Sequence, residues 1–350
     1  MSTTALLRTR RARAGRAAPR LTVAGAALGA VLALSACGGT AQQSSSADTG
    51  GQGGYPATVP SCGAEVSFEQ APERIVLLKS ASVPALHELG VLDRAVAKAG
   101  AYPLESYDDE TRAQLEQIPS LGGDVDASGH LSVSQEAVMA QDPDVVMGQA
   151  ENLDRSTLEN VGIPLLEEPA LCPGGLEEPS FDDVYDQLRA YGAVFDREQE
   201  AEGSIEALQD RVAAVEQRVT EATADQSEPR TAAVLYPTVG GGTTYAYGAH
   251  SMAAPQLAAA GLENVFGEED ERVFEVTPEE LAGRNPDVLI LLYSQGDPQA
   301  VEDSLREIPG ADRITAVLED EVLTMSLNQT EPATPQSVDG LEKIVDRFHG

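Results

Sequence analysis

The residues of this chain that could do chemistry are few and scattered. Four histidines stand at His87, His130, His250 and His349. A zinc or manganese site needs three or four converging ligands, and only the first three could meet at one place. His87 lies inside a helical pattern and His349 at the chain's end. No Cys-x-x-Cys pair, His-Glu-x-x-His helix or Gly-x-Ser-x-Gly turn occurs, so thiol, zinc-hydrolase and serine-hydrolase chemistry have no motif behind them. What remains is recognition. Tyr102, Tyr245, Tyr247, Phe274 and Tyr293 offer ring faces in a chain without tryptophan. Arg272 is one of few cations in an acidic stretch, and a guanidinium can hold a carboxylate or catecholate bidentately or serve a surface ion pair. Lys79, Gln149, His250 and Asn328 add polar groups. The run Gly240-Gly241-Gly242 lacks the Lys-Ser/Thr ending of a phosphate loop, so it reads as a turn or as backbone approaching a ligand. These residue types favour recognition, with no catalytic group and no intrinsic cofactor expected, and an exported enzyme whose acids are assembled in space is the alternative class.

These residues follow apolar runs. Ile75 to Leu78 precedes Lys79, Val145 to Met147 precedes Gln149, and Ala232 to Tyr236 precedes the glycine run. Val288 to Leu292 precedes Tyr293, and Val322 to Met325 precedes Asn328. Short continuous apolar runs suit strands buried on both faces of a parallel sheet, and ligands bind beyond the carboxyl ends of such strands. With helical segments between them the class is α/β.

One phrase is written twice. Ser134, Glu136, Pro143 and Asp144 recur as Thr277, Glu279, Pro286 and Asp287, 143 positions later. Each copy reads as a capped helix stopped before a proline and followed by a strand. Two copies at domain spacing imply two similar lobes, and the cleft between lobes is where a small ligand fits. Between them the spacing of Val184, Leu188, Tyr191 and Phe195, continued by Ile205, Leu208, Val212, Val215 and Val219, predicts a helix of more than 40 residues, interruptible at Gly192 and Gly203. A helix from Val338 to Phe348 closes the chain.

Residues 1–36 carry six arginines and no acid ahead of an apolar run from Leu21 to Leu34, too short to span a bilayer comfortably. The segment ends Leu34-Ser35-Ala36-Cys37-Gly38, which resembles a bacterial lipobox. Cys37 is then the lipidation site, and the protein is exported and held at the outer face of the cell membrane through a lipid anchor. A polar tether over 37–60 follows, then an N-terminal lobe over 61–179, the linking helix over 180–226 and a C-terminal lobe over 227–350. Apart from Cys37, only Cys62 and Cys172 remain, an even pair in an oxidising setting and the expected disulfide. The six leader arginines leave 17 basic against 57 acidic residues in the rest of the chain, about 40 net negative charges, which repel nucleic acid.

Pro72-Glu73-Arg74-Ile75-Val76, the Glu136 and Pro143-Asp144 unit, Gly162-Ile163-Pro164, the long linking helix, Gly261-Leu262-Glu263-Asn264-Val265 and the Glu279 and Pro286-Asp287 unit follow in an order that resembles class III periplasmic binding proteins. These are the substrate-binding lipoproteins of ATP-driven importers for ferric siderophores, haem and cobalamin. The resemblance implies two Rossmann-like lobes with mainly parallel sheets, joined by one long rigid helix, with the ligand cleft between them. It implies a monomer that delivers its ligand to an ABC permease and its ATPase, with Glu136 and Glu279 as the docking acids. A ferric siderophore is the expected ligand, with haem, cobalamin or a divalent metal as alternatives. For haem, His130 opposed by Tyr245 or Tyr247 would be the axial ligands.

Overall fold

The computed structural model describes residues 54–125 and 131–350, so the leader, Cys37 and His130 lie outside the described residues. The first described elements form a hairpin, β1 (Ala57–Ser61) with β2 (Ala64–Phe68). The hairpin's first strand therefore falls partly inside the stretch expected to be tether. The alternating buried positions Ala57, Val59 and Ser61 explain it, together with the Tyr55 hydroxyl, which donates to the Val194 carbonyl at 2.8 Å.

The N-terminal lobe is built on β3 (Ile75–Leu77), β4 (Ala95–Lys98), β7 (Val145–Met147) and β8 (Leu165–Leu166). All are parallel, in the order β4-β3-β7-β8, while β5 (Asp124–Val125) and β6 (Leu131–Ser132) form a small separate ribbon. The C-terminal lobe contains β9 (Arg230–Pro237), β10 (Thr244–Tyr247), β11 (Leu262–Asn264), β12 (Val273–Val276), β13 (Val288–Tyr293) and β14 (Val322–Ser326). Its sheet runs β12-β10-β9-β13-β14, with β11 also on β9. It is mixed rather than wholly parallel, because β10 returns from β9 as an antiparallel hairpin through the glycine loop and β12 pairs antiparallel to β10.

Each central strand is buried on both faces, as its unbroken apolar sequence requires. Ile75 and Leu77 join one core while Val76 and Leu78 join another, and Val288, Ile290 and Leu292 alternate with Leu289 and Leu291 in the same way. The inner core is continuous through both lobes and the helices between them.

Those helices correct the single-rod expectation. The chain forms Phe181–Phe195 and Glu198–Ala222, with a reversal at Asp196, which takes the left-handed conformation (φ 56°). The break falls four residues beyond Gly192 and not at Gly203. Gly192 has a different role: a Cβ there would lie 2.8 Å from the Ala201 Cβ, so its bare backbone lets the second helix pack against the first. The 25-residue second helix, about 37 Å long at 1.5 Å per residue, is the long connector. It buries Ile205, Leu208, Val212, Val215 and Val219, and its Arg211 holds Asp339 (2.6 Å) and Glu342 (2.7 Å) of the closing helix Gln336–His349.

The caps and aspartates of the doubled phrase are structural. Ser134 and Thr277 cap helices Gln135–Met139 and Pro278–Arg284 by accepting the N–H of Ala137 and Glu280. Asp142 and Asn285, immediately before the two prolines, are both left-handed (φ 49° and 47°), as short polar residues tolerate after a helix. The Asp144 carboxylate accepts the N–H groups of Glu73 and Arg74 at the entry to β3. Asp287 does the same at β9, accepting from the Thr231 N–H (2.9 Å) and hydroxyl (2.8 Å).

Candidate functional site

Beyond the carboxyl ends of β3 and β14, hydrogen bonds cross the seam between the lobes. The Ser106 hydroxyl donates to Ser326 (2.7 Å), the Gln336 amide donates to the Ser106 carbonyl (2.6 Å), and the Asn328 amide donates to the Ser80 hydroxyl (3.3 Å). Ser80 follows β3, and Ser326 and Asn328 end or follow β14, so carboxyl ends of strands meet carboxyl ends across this seam. Ser106 and Tyr107 carry no periodic signal in the sequence. Tyr107 is buried with its hydroxyl on the Ser80 carbonyl, and burial pushes its phenol well up.

Several expected ligand residues are engaged by the protein. Asn328 spends its amide on the partner lobe, so it ties the seam rather than presenting itself freely to a ligand. Tyr247 and Tyr293 are 4% and 8% exposed and belong to the cores, because their strand positions point inward. Burial and then the Glu105 carboxylate push the Tyr293 phenol up. The Tyr102 hydroxyl, half-buried, donates to the Leu77 carbonyl (3.1 Å). Gln149 donates to Glu167 and to the Leu171 carbonyl, both at 3.2 Å. Arg272 is paired with Glu331 (3.1 Å), whose carboxylate is 3% exposed. Burial raises the Glu331 carboxyl and Arg272 partly restores it. Lys79 is half-buried and is not free, and His250 is half-buried. Tyr245 is half-buried, directly opposite Tyr236 on β9 and Glu275 on β12, so the three share one face of the sheet. Tyr236, whose hydroxyl meets that of Ser294 at 2.7 Å, was legible only as the last ring of an apolar run.

The disulfide is as expected: Cys62 and Cys172 are joined, 110 positions apart in sequence, beside the end of β8. Arg155 supports the same corner, donating to the Leu165 carbonyl (2.8 Å) and the Ser61 hydroxyl (2.9 Å) and pairing with Glu167. Next along, Glu168 is 1% exposed, accepts the Tyr191 hydroxyl (2.9 Å) and the Gln187 amide, and faces Pro332 and Ala333 of the other lobe across a small void. Burial, against both hydrogen bonds, pushes its carboxyl up to about 7. Nothing in the sequence pattern singled it out.

Glu136 and Glu279 are both exposed and both stand second in their equivalent helices. The N–H of Glu136 itself and then the Ser134 hydroxyl hold the Glu136 carboxyl below the usual carboxylate range. His87 lies 3.9 Å from Asp108, and the His349 ring contacts the Ala260 carbonyl. Among the described residues no three His, Cys, Asp or Glu side chains converge, and no helix is long and apolar enough to cross a membrane.

A family profile described as periplasmic binding protein matches residues 75–327. The chain is 51% identical to the ABC-type Fe3+-hydroxamate transport system protein of Saccharomonospora viridis, with a TM-score of 0.79, over 85% of this chain and 100% of that one. A periplasmic heme binding protein from Pseudomonas aeruginosa is 19% identical with a TM-score of 0.64, over 79% of this chain and 93% of that one. The periplasmic vitamin B12 binding protein of Vibrio cholerae is 16% identical with a TM-score of 0.57, over 79% and 96%. The last two likenesses concern the fold alone. No curated protein matches.

Proposed function

We propose that this chain, which belongs to the periplasmic binding protein family in its class III form, captures a ferric siderophore in the seam between its lobes. The family makes it a transport-associated binding protein, extracytoplasmic, with a small-molecule ligand, an ABC permease partner and no cofactor of its own. The observation that carries the finer reading is the 51% identity, over the whole of the other chain, to a Fe3+-hydroxamate transport protein. Tyrosine faces around the seam, from Tyr102, Tyr236 and Tyr245, suit a large, partly apolar chelate.

Delivery follows from Glu136 and Glu279, exposed carboxylates at matching positions of the two lobes. They dock to basic residues of the permease and set register more than affinity. Cys37 carries the lipid that keeps the monomeric protein at the outer face of the membrane.

The test of the ligand is the absorption spectrum and native mass of protein recovered from its own iron-poor culture. A broad visible charge-transfer band with a chelate's added mass is expected. A Soret band or a corrinoid spectrum would replace the siderophore by haem or cobalamin, and a protein that ignores all three in titration would refute the reading. For docking, Glu136→Lys with Glu279→Lys should keep ligand affinity and abolish uptake. Undiminished uptake by that double variant would remove the docking role.

A further inference from the structure

We propose that the cleft discriminates by charge: its ligand is a neutral or cationic ferric chelate of the trishydroxamate kind, and anionic triscatecholates are rejected. This rests on the ferric-chelate reading above and specifies it. The chemistry of the two classes is distinct at the metal. Three singly charged hydroxamates balance Fe3+, so the centre is neutral and a pendant ammonium makes the whole complex cationic. Three doubly charged catecholates leave a net charge of −3 on the complex.

An anionic complex needs cations free to turn toward it, and the cations near the seam are held by protein groups, some by carboxylates (Arg112 also by Asp109 at 3.2 Å) and some by carbonyls, which fix their donors without cancelling their charge. Arg272 is held by the buried carboxylate of Glu331 at 3.1 Å. Arg155 is taken by Glu167, the Leu165 carbonyl and Ser61. The Lys98 ammonium donates to the Ile118 carbonyl (2.7 Å) and the Leu115 carbonyl (2.5 Å), and Arg112 donates to the carbonyls of Leu104 (3.2 Å) and Tyr107 (3.0 Å). Lys79 is engaged as well.

The carboxylates are in the opposite condition. Glu105 and Glu275 are exposed, and neither has a hydrogen bond or ion pair among the described residues. Each has a defined place. Glu105 adjoins Ser106, which bonds Ser326 across the seam, and Ser326 pairs in register with Tyr293. Glu275 lies opposite Tyr245, which lies opposite Tyr236. A ligand at these strand ends meets two unpaired negative charges and phenol ring faces, and both attract a cation. The surrounding field has the same sign, since acids outnumber bases 57 to 23 over the whole chain.

Three ferric probes test this with the intact exported protein, read by quenching of tyrosine fluorescence. They are a linear trihydroxamate with a free ammonium, the same compound N-acetylated to neutrality, and a tricatecholate. At low salt the ammonium form should bind about 3- to 10-fold more tightly than its acetylated twin for each carboxylate acting at several ångströms, and high salt should shrink the gap. The tricatecholate should be weakest. Glu105→Gln with Glu275→Gln, at exposed and unpartnered positions, should close the gap between the first two probes. A tricatecholate that binds as tightly as the cationic probe, or a gap unchanged in the double variant, overturns the charge rule and leaves the ferric-chelate reading standing. Failure of all three probes, with haem or cobalamin bound instead, overturns that reading itself.

Discussion

Replacing Glu168 with glutamine should stabilise the protein strongly at pH 8 and only slightly at pH 5. The carboxyl is fully buried and pushed up to about 7 from an ordinary 4.5, chiefly by desolvation, with the Tyr191 and Gln187 hydrogen bonds opposing. A shift of that size is about 3 kcal/mol, at about 1.4 kcal/mol per unit. The sign follows from proton counts. Between pH 4.5 and 7 the native state keeps a proton that the unfolded chain has lost, so native stability falls as pH rises through this window and levels off above it. Glutamine has the shape of the neutral acid and removes this dependence. Its carbonyl can still accept from Tyr191, and its amide can donate to the Gln187 Oε1, which is buried without a partner, once that side chain rotates. The assay is urea and thermal unfolding of the ligand-free, disulfide-intact protein at pH 5, 6, 7 and 8, with wild type and variant side by side. Relief of repulsion among the many surface acids is common to both and cancels in the difference. A gain of about 3 kcal/mol at pH 8 corresponds to roughly 5 °C in a chain of this size. A variant that is less stable at pH 8, or that differs from wild type equally at pH 5 and pH 8, would refute the assignment of a strained buried carboxyl.

Reducing the Cys62–Cys172 bond, or replacing both residues by alanine, releases a loop of 110 residues and should lower stability by about 4 kcal/mol, measured as a lower midpoint in urea. Asp287→Ala removes the carboxylate that accepts two hydrogen bonds from Thr231 at the start of β9 and should cost about 1–3 kcal/mol in the same measurement. Asn328→Ala with Gln336→Ala removes the amides that cross the seam, so small-angle scattering of the ligand-free protein should show a larger radius of gyration. An unchanged radius would mean that these bonds do not hold the lobes together.

Much of the frame was readable from residue order because it depends on local chemistry. Apolar runs such as Val288 to Leu292 must be buried on both faces, Ser134 and Thr277 must cap, and a doubled phrase must fold twice. The rod was misjudged for a physical reason. A helical stripe of Val184, Leu188, Ile205 and Leu208 shows which face is buried, but a reversal needs only one residue, Asp196, in the left-handed region. The antiparallel strands within the mainly parallel C-terminal sheet were not legible, because the direction of a short strand such as Thr244–Tyr247 depends on its partner and not on its composition.

The site divides along the same line. The order of residues alone determined the class of fold, the two lobes, the disulfide pair and the two matched acids, each of which follows from periodicity, spacing or residue type. Only the tertiary structure decided which polar groups are already spent. That Asn328 bonds Ser80, that Arg272 is neutralised by Glu331, and that Glu168 is dry against Pro332 are matters of residues far apart in sequence meeting at one seam. A side chain's availability to a ligand depends on what else reaches it, and that is a property of the packed molecule.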